Sequence, residues 1–137
     1  MKKRIVSLVL SALMVFCIFP METFAVQDQE DIIILYENDV HCTVEGYSKL
    51  SAMKKELQER YAHVGVVSSG DYVQGSSLGV ISQGQYIVDL MNLVGYDAVT
   101  LGNHEFDYGM DVTMNIITWA EYPYISSNFF HEKNGEM

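Results

Sequence analysis

The chain has 137 residues, which is enough for one domain of modest size. Its formal net charge is −10, from 18 acidic and 8 basic residues. This balance leaves no basic stripe to neutralise the phosphates of a polymer, so it argues against a nucleic-acid binder. An acidic protein that acts on phosphates has to recruit positive charge, which metal ions would supply.

The first 25 residues are typical of a bacterial signal peptide. Residues 2–4 are basic, Ile5 to Pro20 is almost wholly apolar, and Ala25 offers the small residue that a signal peptidase requires. The apolar run is shorter than the roughly 20 residues of a membrane-spanning helix, so a retained anchor is the weaker interpretation. We expect cleavage before Val26 and a secreted, periplasmic or cell-surface product.

The remaining residues alternate between predicted strands and helices. Ile32 to Tyr36 is a continuous apolar run, as expected of a strand that is buried on both faces. The order βαβαβαβ predicts a mostly parallel α/β sheet with helical crossovers. The predicted strands are 32–36, 64–67, 98–101 and 124–127; the predicted helices are 47–61, 85–94 and one that Asp111 caps and that ends at Ala120; a Gly/Ser-rich stretch covers 68–84.

Ligand-type side chains follow each of the first three predicted strands. Asp39 and His41 follow the first, Asp71 the second, and Asn103 with His104 the third. Functional groups of an open parallel sheet gather outside the carboxyl ends of its strands, so we expect these five side chains on one edge. Each loop taken alone is also an ordinary turn sequence, because Asp and Asn favour such turns.

These side chains offer a mixture of oxygen and nitrogen donors. Asp39 and His41 are two residues apart, so they could share one ion, and the mixture suits Mn, Fe, Co or Zn better than Ca. The two oxygens of Asp71 could bridge a pair of metals. Asn103 offers a neutral carbonyl oxygen, and His104 could donate to a phosphoryl oxygen.

The loop sequences resemble the calcineurin-like metallophosphoesterases. The resemblance depends on Asp39-x-His41, Gly70-Asp71 and Gly102-Asn103-His104-Glu105, in that order. The surrounding sequence is similar to the extracytoplasmic 5′-nucleotidase and 2′,3′-cyclic-nucleotide phosphodiesterase branch, over 69–76, 89–98 and 101–109. The likeness implies an α/β/β/α sandwich, of which residues 26–137 would form the N-terminal part.

The resemblance also implies roles for the five side chains. Asp39 and His41 would hold a first divalent ion, Asp71 would bridge both ions, and Asn103 would bind the second. His104 would steady the transition state and protonate the leaving group. The substrate would be a small phosphate ester, most naturally a nucleotide, hydrolysed by two ions that activate a shared water.

The sequence departs from the family pattern in two places. Cys42 follows His41 where the family usually has a small residue, and we expect it to be a partly buried lone cysteine. Histidines that complete the metal shells in the family, and its base-binding domain, are not present: His131 does not match them, and His63 is expected at the surface.

Two hypotheses follow. The first is that the sequence encodes the beginning of a secreted phosphoesterase, present here as an incomplete catalytic domain. The second is a non-catalytic, truncated secreted polypeptide with a residual metal-binding edge, because four ligands shared by two ions leave each ion under-coordinated.

Overall fold

The computed structural model describes residues 31–129, so the predicted signal peptide lies outside the described range. None of the helices in this range is long and apolar enough to cross a membrane. Strands β1, β2 and β3 span Ile32–Glu37, His63–Ser68 and Ala98–Val99; helices α1 to α4 span Glu45–Gln58, Ser77–Ser82, Gln85–Val94 and Met110–Trp119; a 3-10 turn covers His104–Phe106.

The three strands form one parallel sheet in the order β1-β2-β3. The predicted fourth strand is reduced to a single parallel bridge between Val99 and Tyr124. Two backbone hydrogen bonds flank it, from Val99 N to Pro123 O (3.0 Å) and from Ile125 N to Val99 O (2.8 Å). The predicted α/β class, with parallel strands and helical crossovers, is confirmed.

The core lies between the sheet and the helices. Helix α3 contributes most to it, because Ile87, Val88 and Met91 are fully buried. Val66 of β2 and Ile116 of α4 pack in the same cluster. Burial of side chains of this size contributes roughly 1.5–3 kcal/mol each, so α3 is a main source of the apolar stabilisation of this core.

The prediction that the first strand is buried on both faces was wrong. Side chains alternate along β1, and Ile32, Ile34 and Tyr36 are 70%, 56% and 64% exposed. β1 is an edge strand in the described range, and the helices there cover only its other face. The apolar run Ile-Ile-Ile-Leu-Tyr therefore identified a strand correctly but did not reveal that one face stays open.

The helices differ from prediction in three places. Helix α1 spans Glu45–Gln58, whereas 47–61 was predicted. The Gly/Ser-rich stretch contains a short helix, α2, which begins after Ser76, whose hydroxyl accepts from Gly79 N at 3.4 Å. Helix α4 begins at Met110 after Gly109, so Asp111 lies in its first turn and does not cap it. A carboxylate in the first turn still favours the helix through its dipole.

Candidate metal centre

Three loops at the carboxyl ends of the strands form the candidate site: loop 1 (residues 38–42), loop 2 (69–76) and loop 3 (100–107, with the 3-10 turn). Loops 1 and 2 extend the strand pairing beyond the sheet. Asp39 N donates to Gly70 O (3.2 Å), His41 N to Asp71 O (3.0 Å) and Cys42 N to Tyr72 O (3.0 Å). The backbones that carry the first three predicted ligands are therefore held side by side.

Three of the four candidate ligands sit on strained backbone. Asp39, His41 and Asp71 have φ values of 61°, 46° and 60°, and Cys42 has 57°. Residues with side chains rarely adopt this left-handed conformation, which costs about 1–3 kcal/mol at each such residue. Strain of this kind persists only where surrounding contacts enforce it and tends to accumulate at functional sites.

The side chains of Asp39 and His41 meet. Asp39 Oδ1 lies 2.9 Å from His41 Nε2, and the two side chains are 58% and 33% exposed. Two donors bound at right angles to one ion, each at about 2.0–2.1 Å, are also about 2.9 Å apart. The pair therefore fits one ion. His41 Nδ1 lies 3.2 Å from Gln74 Oε1, which can accept a hydrogen bond from the protonated Nδ1 when Nε2 binds metal.

Asp71 connects loop 2 to loop 3. Its Oδ1 accepts a hydrogen bond from His104 N at 2.8 Å, while no donor within residues 31–129 contacts Oδ2. The side chain of Asn103 is exposed and does not cap the 3-10 turn that follows it. Both side chains thus keep an oxygen free to meet a cation.

His104 is paired with a carboxylate. Its Nδ1 lies 2.7 Å from Asp107 Oδ2, and because a carboxylate only accepts, Nδ1 must carry the proton. This hydrogen bond, with the charge of Asp107, raises the pKa of His104. The rings of His41 and His104 meet edge to face at 4.7 Å between centroids, so loops 1 and 3 come together as predicted.

The described residues supply only part of a metal shell. No three side chains among His, Cys, Asp and Glu between residues 31 and 129 converge on a single point. The Asp39–His41 pair and the separate Asp71 and Asn103 oxygens match the predicted donor set in kind. Their assignment as metal ligands stays a prediction.

Loops 2 and 3 approach each other so closely that side chains would not fit between them. A Cβ at Gly70, whose φ is 100°, would overlap the Gly102 amide, and a Cβ at Gly102 would overlap the Asp71 carboxylate. The carboxylate of Glu105 lies behind this contact and is fully buried.

The sequence interpretation missed three residues of this arrangement: Gln74, Glu105 and Asp107. Asp107 follows His104 by three residues, a spacing that a helical turn brings together. Gln74 gave no comparable local signal, because its partner His41 lies 33 residues away, and two of the three donors to Glu105 lie 33 or 34 residues away. As expected, Cys42 is buried, and burial raises the pKa of its thiol; His63 is exposed.

Comparison with known proteins agrees with this geometry. Residues 33–135 match the calcineurin-like phosphoesterase family. The chain belongs to that family. Its members are hydrolases that act on phosphate esters and generally use divalent metal ions.

Two of the three similar proteins named next are nucleotidases. The chain is 32% identical to the snake venom 5′-nucleotidase of Gloydius brevicauda (72% of this chain, 20% of that protein) and 31% identical to the protein UshA of Salmonella pullorum (98% and 26%). The structure of the NAD nucleotidase of Haemophilus influenzae superimposes with a TM-score of 0.66 at 26% identity, over 71% of this chain and 20% of that one. The chain thus spans about a quarter or less of the length of these relatives.

Proposed function

We propose that this chain is part of a secreted, metal-dependent hydrolase of phosphate esters, with nucleotides as substrates. The proposal rests on the close approach of candidate metal-binding side chains from loops that follow the strands. Asp39 Oδ1 lies 2.9 Å from His41 Nε2, and the ring centroids of His41 and His104 are 4.7 Å apart. The nucleotidases among the relatives support the substrate class.

Four side chains would hold the metal ions. Asp39 and His41 would bind the first, Asp71 would bridge, and Asn103 would bind the second, with Mn, Zn, Co or Fe suiting this oxygen and nitrogen set. When bound, two such ions would activate a water molecule and neutralise charge on the phosphoryl group. Gln74 would keep His41 in the tautomer that leaves Nε2 free for the ion.

His104 would act on the substrate directly. Asp107 holds its Nδ1, so Nε2 is the nitrogen left to meet a phosphoryl or leaving-group oxygen. A protonated imidazole there would donate to an oxygen as negative charge develops on it, and could then transfer the proton to the departing alkoxide. Asp107 would orient the ring and stabilise its charged form.

The second candidate is a non-catalytic polypeptide with a residual metal-binding edge. The donor set between residues 31 and 129 favours it, because no three His, Cys, Asp or Glu side chains there converge on one point. An ion bound by two or three protein donors would be held weakly and would contribute little to folding. For the 137 residues alone we expect metal binding with little or no turnover.

The decisive experiment uses the complete product of the reading frame that encodes these residues. It would be purified from the culture medium, where Val26 is the expected first residue, and assayed on a chromogenic phosphate ester with added Mn²⁺ or Co²⁺. Asp71→Asn should abolish hydrolysis without unfolding the chain, since Asn is nearly isosteric and tolerates positive φ.

A second test compares His104→Asn with a matched control, His63→Asn. His104→Asn should lower kcat by roughly 10²–10⁴-fold, the usual contribution of an acid–base group, whereas His63→Asn, on the exposed start of β2, should leave it unchanged. Hydrolysis that resists a chelator at full rate would contradict the metal-dependent mechanism. Metal binding without hydrolysis by the complete product would favour the second candidate.

A further inference from the structure

Glu105 is a charged side chain with no solvent contact. It belongs to the 3-10 turn His104–Phe106, yet its side chain is 0% exposed, whereas Asn103 is exposed and His104 partly so. No lysine, arginine or histidine in the described range forms an ion pair with it. A buried carboxylate is costly unless its oxygens are hydrogen-bonded, so its partners have to compensate for the lost water.

Three backbone amides compensate for it. Asp71 N and Gly102 N donate to Oε2 at 2.9 and 2.6 Å, and Tyr72 N donates to Oε1 at 3.0 Å. None of the three amides has another acceptor in the described part of the chain. Hydrogen bonds to an ionised acceptor are about twice as strong as neutral ones, so this carboxylate joins loops 2 and 3 firmly.

The connection is reciprocal with Asp71. While Asp71 N donates to Glu105, the Asp71 carboxylate accepts from His104 N at 2.8 Å. The two acidic residues therefore cross-link the same pair of loops, one from the buried side and one from the side of the candidate metal centre. The contact between Gly70 and Gly102 allows the loops to come this close.

We propose that Glu105 is a positioning residue of the metal centre, which fixes the distance between Asp71 on loop 2 and Asn103 on loop 3. The inference rests on the proposed function, because it assumes that these two side chains bind metal. Glu105 itself has no access to an ion, since its carboxylate is buried and faces the amides. Residues that orient ligands in this way typically change metal affinity by about 10–100-fold when they are altered.

The test is Glu105→Gln in the full chain. A glutamine keeps the shape of the side chain but replaces one oxygen with an NH₂ donor, which faces an N–H and cannot accept from it. Mn²⁺ binding to chelator-treated protein would be measured by calorimetry, and backbone amide exchange by NMR. We expect a Kd for Mn²⁺ about 10–100-fold higher, with faster exchange at Asp71, Tyr72 and Gly102.

Asn92→Ala is the matched control. The Asn92 side chain also makes two hydrogen bonds, to Trp119 O and from Glu121 N (both 2.9 Å), but they join α3 to the end of α4. The Asn92→Ala variant should be less stable than the wild type but should keep its Mn²⁺ affinity and the slow exchange of the three amides. Equal losses of affinity in both variants, or an unchanged Glu105→Gln variant, would overturn the proposal.

Two further outcomes keep the proposal separate from folding and from the proposed function. If Glu105→Gln does not fold, amide exchange in the wild-type chain tests the proposal instead. The Asn103 N–H has no acceptor among the described residues, so the three amides must exchange far more slowly than it does. Equal exchange rates would overturn the proposal. If the wild-type chain binds no Mn²⁺, the proposed function fails and the positioning role fails with it, whereas slow amide exchange would still support the cross-link itself.

Discussion

Loop 1 and the pair formed by loops 2 and 3 hold their side chains in different ways. On loop 1, the Asp39 side chain is mostly exposed and the His41 side chain is one-third exposed, and they contact mainly each other and Gln74. Loops 2 and 3 are joined through the buried Glu105 and through Asp71. The backbone of loop 1 is held by hydrogen bonds to loop 2, and the side chains of Asn38 and Cys42 also bond to that loop. A rigid half that sets distances is thus combined with a more open half, whose two candidate ligands have fewer contacts.

Gly70→Ala should have the largest effect, because it breaks the rigid half. The new Cβ would overlap the Gly102 amide, and the residue would be held at a φ of 100°. Strain and overpacking together should lower the free energy of unfolding by about 3 kcal/mol or more, measured by urea denaturation. Gly46→Ala is the control: Gly46 lies in α1 with nothing within 4 Å of its Cβ position, so stability should stay level or rise by up to about 1 kcal/mol.

Thr113→Val should have an intermediate effect, because it removes a hydrogen bond between α4 and the 3-10 turn His104–Phe106. The buried Thr113 hydroxyl donates to Glu105 O at 2.8 Å, and valine would leave this carbonyl without that donor. We expect a loss of about 1–3 kcal/mol in the same denaturation experiment. In Thr118→Val, the same helix loses an equivalent but exposed bond to Met114 O, so a change within about 0.5 kcal/mol is expected. Equal losses would mean that burial is not the deciding factor.

Asp39→Asn should have the smallest effect on folding, and it tests loop 1, the more exposed half of the site. Asparagine tolerates the φ of 61°, and the Asp39 side chain is 58% exposed, so the free energy of unfolding should change by less than about 0.5 kcal/mol. Calorimetry should nevertheless show weaker Mn²⁺ binding, because a charged ligand is lost. A variant that unfolds readily would show that this carboxylate holds loop 1 in place.

The sequence predicted most of what depends on local pattern. Helix α3 was recognised from apolar residues at helical spacing, and the convergence of loops 1 to 3 followed from the parallel order of the strands alone. The same reasoning failed for β1, where five consecutive apolar residues look identical whether one face or both are covered. Exposure of Ile32 and Ile34 depends on what packs against the sheet, which strand composition does not encode.

Long-range partners explain the rest. Glu105 follows His104 in the sequence and gives no sign that it faces inward, because two of its three donors, Asp71 N and Tyr72 N, belong to a loop more than thirty residues earlier. The short helix α2 was missed for a local reason: Ser77, Gly79 and Ser82 within it disfavour a helix, and the cap at Ser76 is a weak signal against them.

The contact between Gly70 and Gly102 has a consequence for reading sequence variation in this chain. A saturation library selected for folding alone would already lose other amino acids at both positions, before any selection for activity. Invariance there would report backbone packing and would be poor evidence of chemistry. Asn103 is the opposite kind of position, because its side chain is exposed and does not cap the turn that follows it. Depletion of other residues at Asn103 would support its proposed metal-binding role.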